Sequence, residues 1–232
     1  MAGYGQFCAM ARAHDALGGR WSLLVVRELL CGGRRFNDIR RGIPRISRTV
    51  LSERLQALVA LGAVTRSDGQ HGPEYALTAA GRELAGVVSA LGAWGQRWLA
   101  RRAGDEDLDL EPVFVDMQRR VRFAALPKDP IVVRFEINGS RSPRFLLLRP
   151  TEASLCAQNP GFPEPLTVRG SLEALVSWWR GDVSFAEARR IGLSLEGPRV
   201  PVRAFPDWFD RYLFAQVEAV ATEICRPEHS QA

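Results

Sequence analysis

One run of residues, Ile43 to Gly62 (IPRISRTVLSERLQALVALG), constrains the fold more than any other part of the chain. Pro44 ends whatever helix precedes it, and Ser47 is a good N-cap for the one that follows. Leu51, Leu55 and Leu58 then recur at helical spacing and share one face. Thr49, Ser52, Glu53 and Gln56 lie roughly opposite, with Arg48 at the N-terminal flank. Such a helix docks through its leucines and shows short hydrogen-bonding side chains outward. Around its start the chain places Arg34, Arg35, Arg40, Arg41, Arg45 and Arg48, offset over that stretch only by Asp38. The pattern fits a helix whose front meets a polyanion while its back holds a core. A solvated basic face is the plainer reading of the same residues.

The neighbouring segments narrow the choice. Phe7 to Leu17 reads as a short helix stopped by Gly18-Gly19. Trp21 to Leu30 reads as a second, stopped by Gly32-Gly33, and RRFNDIRRGIP as a third that ends before Pro44. After the amphipathic helix, AVTRSDGQHGPEYALT gives two short extended stretches around a polar, glycine-rich tip. Thr78 then opens a long helix. Three helices, a recognition-type helix, a hairpin and a long helix follow the order of a winged helix-turn-helix.

The charge is unevenly placed. Residues 1–103 hold 15 basic against 7 acidic side chains, and residues 104–232 hold 16 against 19, so the first half is basic and the second mildly acidic. Only the first half suits a polyanionic partner. The acid-dense stretch Ala103 to Pro112 is the expected seam. The predicted organisation is a DNA-binding and dimerisation domain over 1–103, a linker over 104–112 and a second domain over 113–232. The four cysteines, Cys8, Cys31, Cys156 and Cys225, have no metal-ligand spacing, and no metal or cofactor is expected. No apolar run reaches the length of a membrane span, and the expected location is cytoplasmic.

FCAMARAHDALGGRWSLLVVRELLCGGRRFNDIRRGIPRISRTVLSERLQALVALGAVTR, followed by EYALTAAGREL and Trp94-Gly95, resembles the HxlR family of bacterial winged-helix regulators over about residues 5–100. The resemblance implies a homodimer, paired through the N-terminal and long C-terminal helices, that binds double-stranded DNA at a palindromic operator. It makes Ser47 to Leu61 the recognition helix and puts the wing tip near Arg66 to Gly72. The DNA-binding residues it implies are Ser47, Arg48, Thr49, Ser52 and Gln56 near the bases, and Arg34, Arg35, Arg45 and Arg66 on phosphates. Cys8 matches a cysteine that some family members use as a redox sensor, although Ala9 stands where proline is usual. A buried structural thiol is the alternative there, because sensing needs an exposed, low-pKa thiolate.

The second half reads as a helix from Val113 to Leu126, then strands. Ile131, Val133, Phe135 and Ile137 alternate to one side before an Asn138-Gly139 turn. Ala153 to Ala157 and Pro165 to Gly170 read as further strands, and Ser171 caps a helix through Trp179. A short helix and a final strand follow, and Phe205 to Ile224 reads as a helical tail. Thr167 to Gly197, with weaker support from Val132 to Leu148, resembles the sterol-carrier-protein-like (SCP-like) domain. That resemblance implies an apolar tunnel, for which Trp178, Trp179, Phe185, Trp208 and Phe209 are the candidate lining residues; simple core filling is the alternative.

The predicted fold class is therefore α+β: a winged helix-turn-helix, then a small β-sheet with packed helices. No zinc-protease helix, phosphate loop, dinucleotide fingerprint or nucleophile elbow is present, so an enzyme is not expected. The expected function is transcriptional regulation, with a hydrophobic small molecule bound in the C-terminal domain as effector. Two rivals remain at this stage: a lipid or hydrophobic-ligand carrier with a non-specific basic domain, and a regulator that senses redox state through Cys8.

Overall fold

The computed structural model describes residues 3–99, 110–218 and 220. The chain is α+β and holds two separate main cores. The first is built from α1 (Ala9–Leu17), α2 (Ser22–Leu30), α3 (Phe36–Gly42) and α4 (Arg48–Ala60), the hairpin β1 (Val64–Gly69) and β2 (Gly72–Leu77), and α5 (Ala79–Trp98). Val25, Val26, Ile39, Ile43, Ile46, Leu51, Leu55 and Leu58 are buried together at its centre. The helix starts follow the cap chemistry of the sequence. The Ser47 hydroxyl accepts from the Val50 N–H at 3.2 Å, and the Thr78 hydroxyl accepts from the Gly81 N–H at 3.1 Å. The hairpin pairs antiparallel from Val64 opposite Leu77 to Gly69 opposite Gly72. Arg34 and Arg35 run alongside it: the Tyr75 N–H donates to the Arg34 carbonyl at 2.8 Å.

The second core lies under a five-stranded sheet of order β5-β4-β3-β6-β7. Its strands are β3 (Ile131–Ile137), β4 (Arg144–Leu148), β5 (Ala153–Cys156), β6 (Leu166–Gly170) and β7 (Ser194–Glu196). β3 and β6 run parallel and the other neighbours antiparallel. The parallel step needs a crossover, and the chain from β4 through β5 supplies it. Ile131, Val133, Phe135 and Ile137 point into one core, as their alternation requires. There they meet Phe114 and Met117 of α6 (Leu110–Arg119) and Leu175 and Trp178 of α7 (Leu172–Arg180). On the other face of β3, β6 and β7, Arg134, Glu136, Arg169 and Glu196 form a ladder of ion pairs. α8 (Phe185–Arg190) is closed by a capping box between Ser184 and Glu187.

Three sequence expectations are corrected here. α6 begins at Leu110, so residues 110–112 of the expected linker are already helical, while 104–109 lie outside the described residues. The helix expected to run to Leu126 stops at Arg119. The backbone there turns to pair with the later chain: Val121 bridges Phe209, and the Arg122 N–H donates to the Trp208 carbonyl at 2.7 Å. The helical tail expected from Phe205 is not formed among the described residues: α9 (Arg199–Ala204) ends just before it, Phe205–Trp208 form a 3₁₀ turn, and the chain to residue 218 is extended or in turns. Pro206 sits inside that stretch, and Phe205, Trp208 and Phe209 are drawn together into the second core while Phe214 turns to α5. Residues 219 and 221–224 of that expected helix lie outside the described residues.

The two cores are joined by polar and apolar contacts. Glu28 of α2 is only 2% exposed at its side chain, and two guanidiniums hold it. One is Arg27 at 2.6 Å; the other is Arg119 of α6, across the seam, at 2.8 Å. Arg27 also donates to the Gly42 carbonyl at 3.1 Å. A Cβ at Gly42 would overlap the Glu28 carboxylate, so that position admits only glycine beside the acid. Further along the seam, Gln96 of α5 donates to the Arg180 carbonyl at 3.3 Å, and the Phe214 ring packs on α5 where Gly92 lacks a side chain. Removing one member of a buried, hydrogen-bonded charge group leaves the others uncompensated. Glu28→Ala is therefore expected to lower unfolding stability by about 2–4 kcal/mol, discounted for the partial exposure of both arginines. Equilibrium denaturation checks this; a loss below about 0.5 kcal/mol, the range of an ordinary surface change, would show that the seam does not depend on the acid.

Candidate nucleic-acid interface

α4 presents two chemically distinct sides. Leu51, Leu55 and Leu58 are buried, whereas Arg48, Thr49, Glu53 and Gln56 are exposed and Ser52 is half-buried. Ser47, which caps the helix, is itself exposed. The exposed side of α4 thus offers a guanidinium and hydroxyls at its start, near backbone N–H groups that favour anions, and an amide two turns further on. No acidic residue sits in the first turn of α4 to oppose an incoming phosphate.

The flanking arginines fall into three situations. Arg34 is exposed at the edge of the hairpin. Arg35 and Arg66 are exposed but have acidic neighbours, Glu74 at 3.5 Å and Asp68 at 3.9 Å. Pairs this open are worth little and can exchange for phosphate. Arg45 is exposed too, yet it lines a groove with Glu111, Asn138 and Arg144 of the second core. The structure therefore places the exposed Arg45 at the seam between the two cores.

The aromatic residues expected to line a tunnel are mostly core. Trp178, Trp179, Trp208 and Phe209 are buried. Phe205 stands at the centre of their cluster, with ring centroids 5.6 Å from Trp178, 5.9 Å from Trp208 and 5.4 Å from Phe209. Phe185 packs edge-on to Trp178 at 5.1 Å and reaches a shallow surface groove. Trp179 alone of the five borders the space at the seam, and its indole N–H donates to Asp116 at 2.9 Å. Core filling accounts for Trp178, Trp208 and Phe209.

Cys8 precedes α1 and is exposed, contrary to a buried structural role. The N–H groups of Ala11 and Met10 hold its thiol below the ordinary value. Cys31 is the opposite case: burial, with Glu28 adding to it, pushes its thiol up. Among the described residues no group of His, Cys, Asp and Glu could hold a metal ion, and no helix is long and apolar enough to cross a membrane.

Two features of this region were not read from the sequence. Glu28 was visible only as a charge inside an apolar helix. The apolar surface of α5, where Val87, Leu91, Trp94 and Trp98 are exposed at helical spacing, was hidden because the same helix packs its other side. Near the N-terminus Phe7 is fully exposed and Met10 largely so.

A helix-turn-helix with a hairpin beside it and a polar, basic face on its second helix defines a DNA-binding class of domain. A model of the HxlR-like helix-turn-helix family matches residues 16–103. An uncharacterized HTH-type transcriptional regulator of Mycobacterium tuberculosis is 42% identical over 101 residues, which is 41% of this chain and 62% of that protein. YvaP of Bacillus subtilis, another uncharacterized HTH-type transcriptional regulator, is 38% identical over 91 residues, 38% of this chain and 84% of its own length. The solved reduced form of the transcriptional regulator YodB from B. subtilis aligns with 30% identity and a TM-score of 0.35, covering 45% of this chain and all of that one. The chain belongs to the HxlR-like helix-turn-helix family, and it spans a little under two thirds of the mycobacterial relative.

The two thiols give a direct test of their surroundings. Lowering a thiol pKa keeps thiolate present at lower pH, and raising it removes thiolate until higher pH. Cys8 is therefore expected to be alkylated faster than Cys31 at neutral pH, with its rate levelling off at a lower pH. Peptide mass spectrometry after timed iodoacetamide treatment reads both sites; equal rates or the reverse order would contradict the placement of these residues.

Proposed function

We propose that this protein is a cytoplasmic transcriptional regulator that binds a palindromic operator as a homodimer. The observation that carries the reading is the two-sided α4: leucines buried behind, and Arg48, Thr49 and Gln56 exposed in front beyond the Ser47 cap. Ser47, Arg48, Thr49, Ser52 and Gln56 are suited to base edges, and Arg34, Arg35, Arg45 and Arg66 to the phosphates that set the register. The exposed apolar side chains of α5, together with Phe7 and Met10, supply a surface for a second copy. Residues 1–103 form the DNA-binding and dimerisation unit in this reading. The unit from residue 113 onward, SCP-like in its resemblance, is the one through which a small-molecule effector acts. An effector that prefers one arrangement of the two units changes the spacing of the recognition helices, and with it DNA affinity.

A second reading is favoured by one observation, the exposed Cys8 with its lowered thiol pKa. In that reading oxidation of Cys8 controls DNA binding. The carrier alternative has less support, because most of the rings that would line its tunnel fill the core.

The test is binding to genomic fragments, including the gene's own upstream region, at about 150 mM salt. Wild type is expected to protect a discrete site, and Arg48→Ala/Gln56→Ala to lose about tenfold or more in affinity for it. Salt-sensitive binding without a preferred site would sink the regulator reading. Cys8→Ser separates the second reading: if that is right, the variant keeps its operator affinity but no longer responds to diamide.

A further inference from the structure

At the seam between the two cores lies a cavity of about 260 Å³. Its lining comes from both units: α2, α3 and α5 on one side, α6, α7 and the segment through Tyr212–Phe214 on the other. The walls are largely apolar, formed by Val88, Val113, Val176, Trp179 and Phe214. The space is small against the usual range for ligand pockets, so it excludes a sterol or a long acyl chain and suits a single ring with a short side arm.

The charge at one end sets the ligand class. Arg120 and Arg180 each have a carboxylate of their own, Asp116 at 2.8 Å and Asp182 at 2.5 Å. Arg27 and Arg119 share Glu28 between them. That triad carries one positive charge in excess around a buried carboxylate, with both guanidiniums partly open to the cavity side. A guanidinium also has more N–H donors than Glu28 and the Gly42 carbonyl occupy. A carboxylate entering the cavity would balance the excess and accept from those donors.

We propose that this cavity binds a small aromatic monocarboxylate, with its ring against Trp179 and the valines and its carboxylate on Arg27 and Arg119. Its role as an effector rests on the regulator reading above. The physical link is that the Arg119–Glu28 pair is also a charged tie between the two units. A ligand carboxylate that accepts from the spare donors of Arg27 and Arg119 joins that tie, so occupancy and the relative arrangement of the units are coupled.

The experiment is calorimetric titration of the full-length protein with phenylacetate and with phenylacetamide, its neutral isostere. Phenylacetate is expected to bind, and the amide to bind about tenfold more weakly or worse. Cys31 borders the cavity, so its alkylation by iodoacetamide should slow when phenylacetate is saturating, while that of Cys8 stays unchanged. Both measurements use wild type and depend on no variant folding. Arg119→Gln should cost about tenfold in phenylacetate affinity, and Val88→Phe should block the site while leaving the guanidiniums in place. No heat with phenylacetate, equal affinity for the amide, or an unprotected Cys31 would each overturn the site. Operator binding by the same preparation separates the two ideas. If operator binding is absent, the regulator reading fails whatever the ligand does. If operator binding is present and phenylacetate binds without altering it, the effector role fails.

Discussion

The buried carboxylate of Glu28 is the interaction on which the two halves depend. It sits on a helix that otherwise buries Val25, Val26 and Leu29, where an unpaired charge would be costly. One arginine comes from the adjacent position and the other from α6, roughly ninety residues later. The first ties the acid to the end of α3 through the Gly42 carbonyl, and the second ties it to the sheet domain. The helix α2 of the helix-turn-helix domain therefore shares a polar anchor with the domain behind it. A buried group of this kind adds little to net stability compared with apolar packing, but it is selective about geometry. That is the property needed to hold two units in one arrangement while leaving another arrangement within reach.

α4 and α5 show how one helix can serve two environments. In α4 the division is between leucines and short polar side chains, and the period alone displays it. In α5 apolar side chains spread over two stripes beside the polar one that carries Arg82, Ser89 and Arg97, so the pattern does not mark which apolar stripe faces solvent. One side receives Phe214 at Gly92 and the Gln96 contact, and the other leaves Leu91 and Trp94 exposed.

What the sequence disclosed follows from how local its causes are. The caps at Ser47, Thr78 and Ser171, the leucine face of α4 and the alternation of Ile131 to Ile137 all depend on near neighbours, and all appear in the structure. What it concealed depends on distant partners. The helix through Arg119 ends because Val121 and Arg122 pair with Trp208 and Phe209, which no local pattern announces. The aromatic residues of α7 and of the 205–209 segment looked able to line a tunnel, since composition cannot distinguish a ring that faces a cavity from one that fills a core. Arg45 belongs to an arginine run by sequence and to the interdomain groove by position. The cavity at the seam was out of reach for the same reason: its walls come from segments that meet only once both units are folded.

The doubly apolar α5 has a consequence for how such a chain can change over time. Its twenty residues form a rod of about 30 Å, with one stripe committed to the rest of its own chain and another turned outward. Substitutions on either stripe act locally. An insertion or deletion of one residue near Gly92 would instead rotate everything beyond it by about 100°. The gap that admits Phe214 and the outward tryptophans would then exchange neighbours together. The length of this helix is accordingly under tighter restraint than the identity of most side chains it carries.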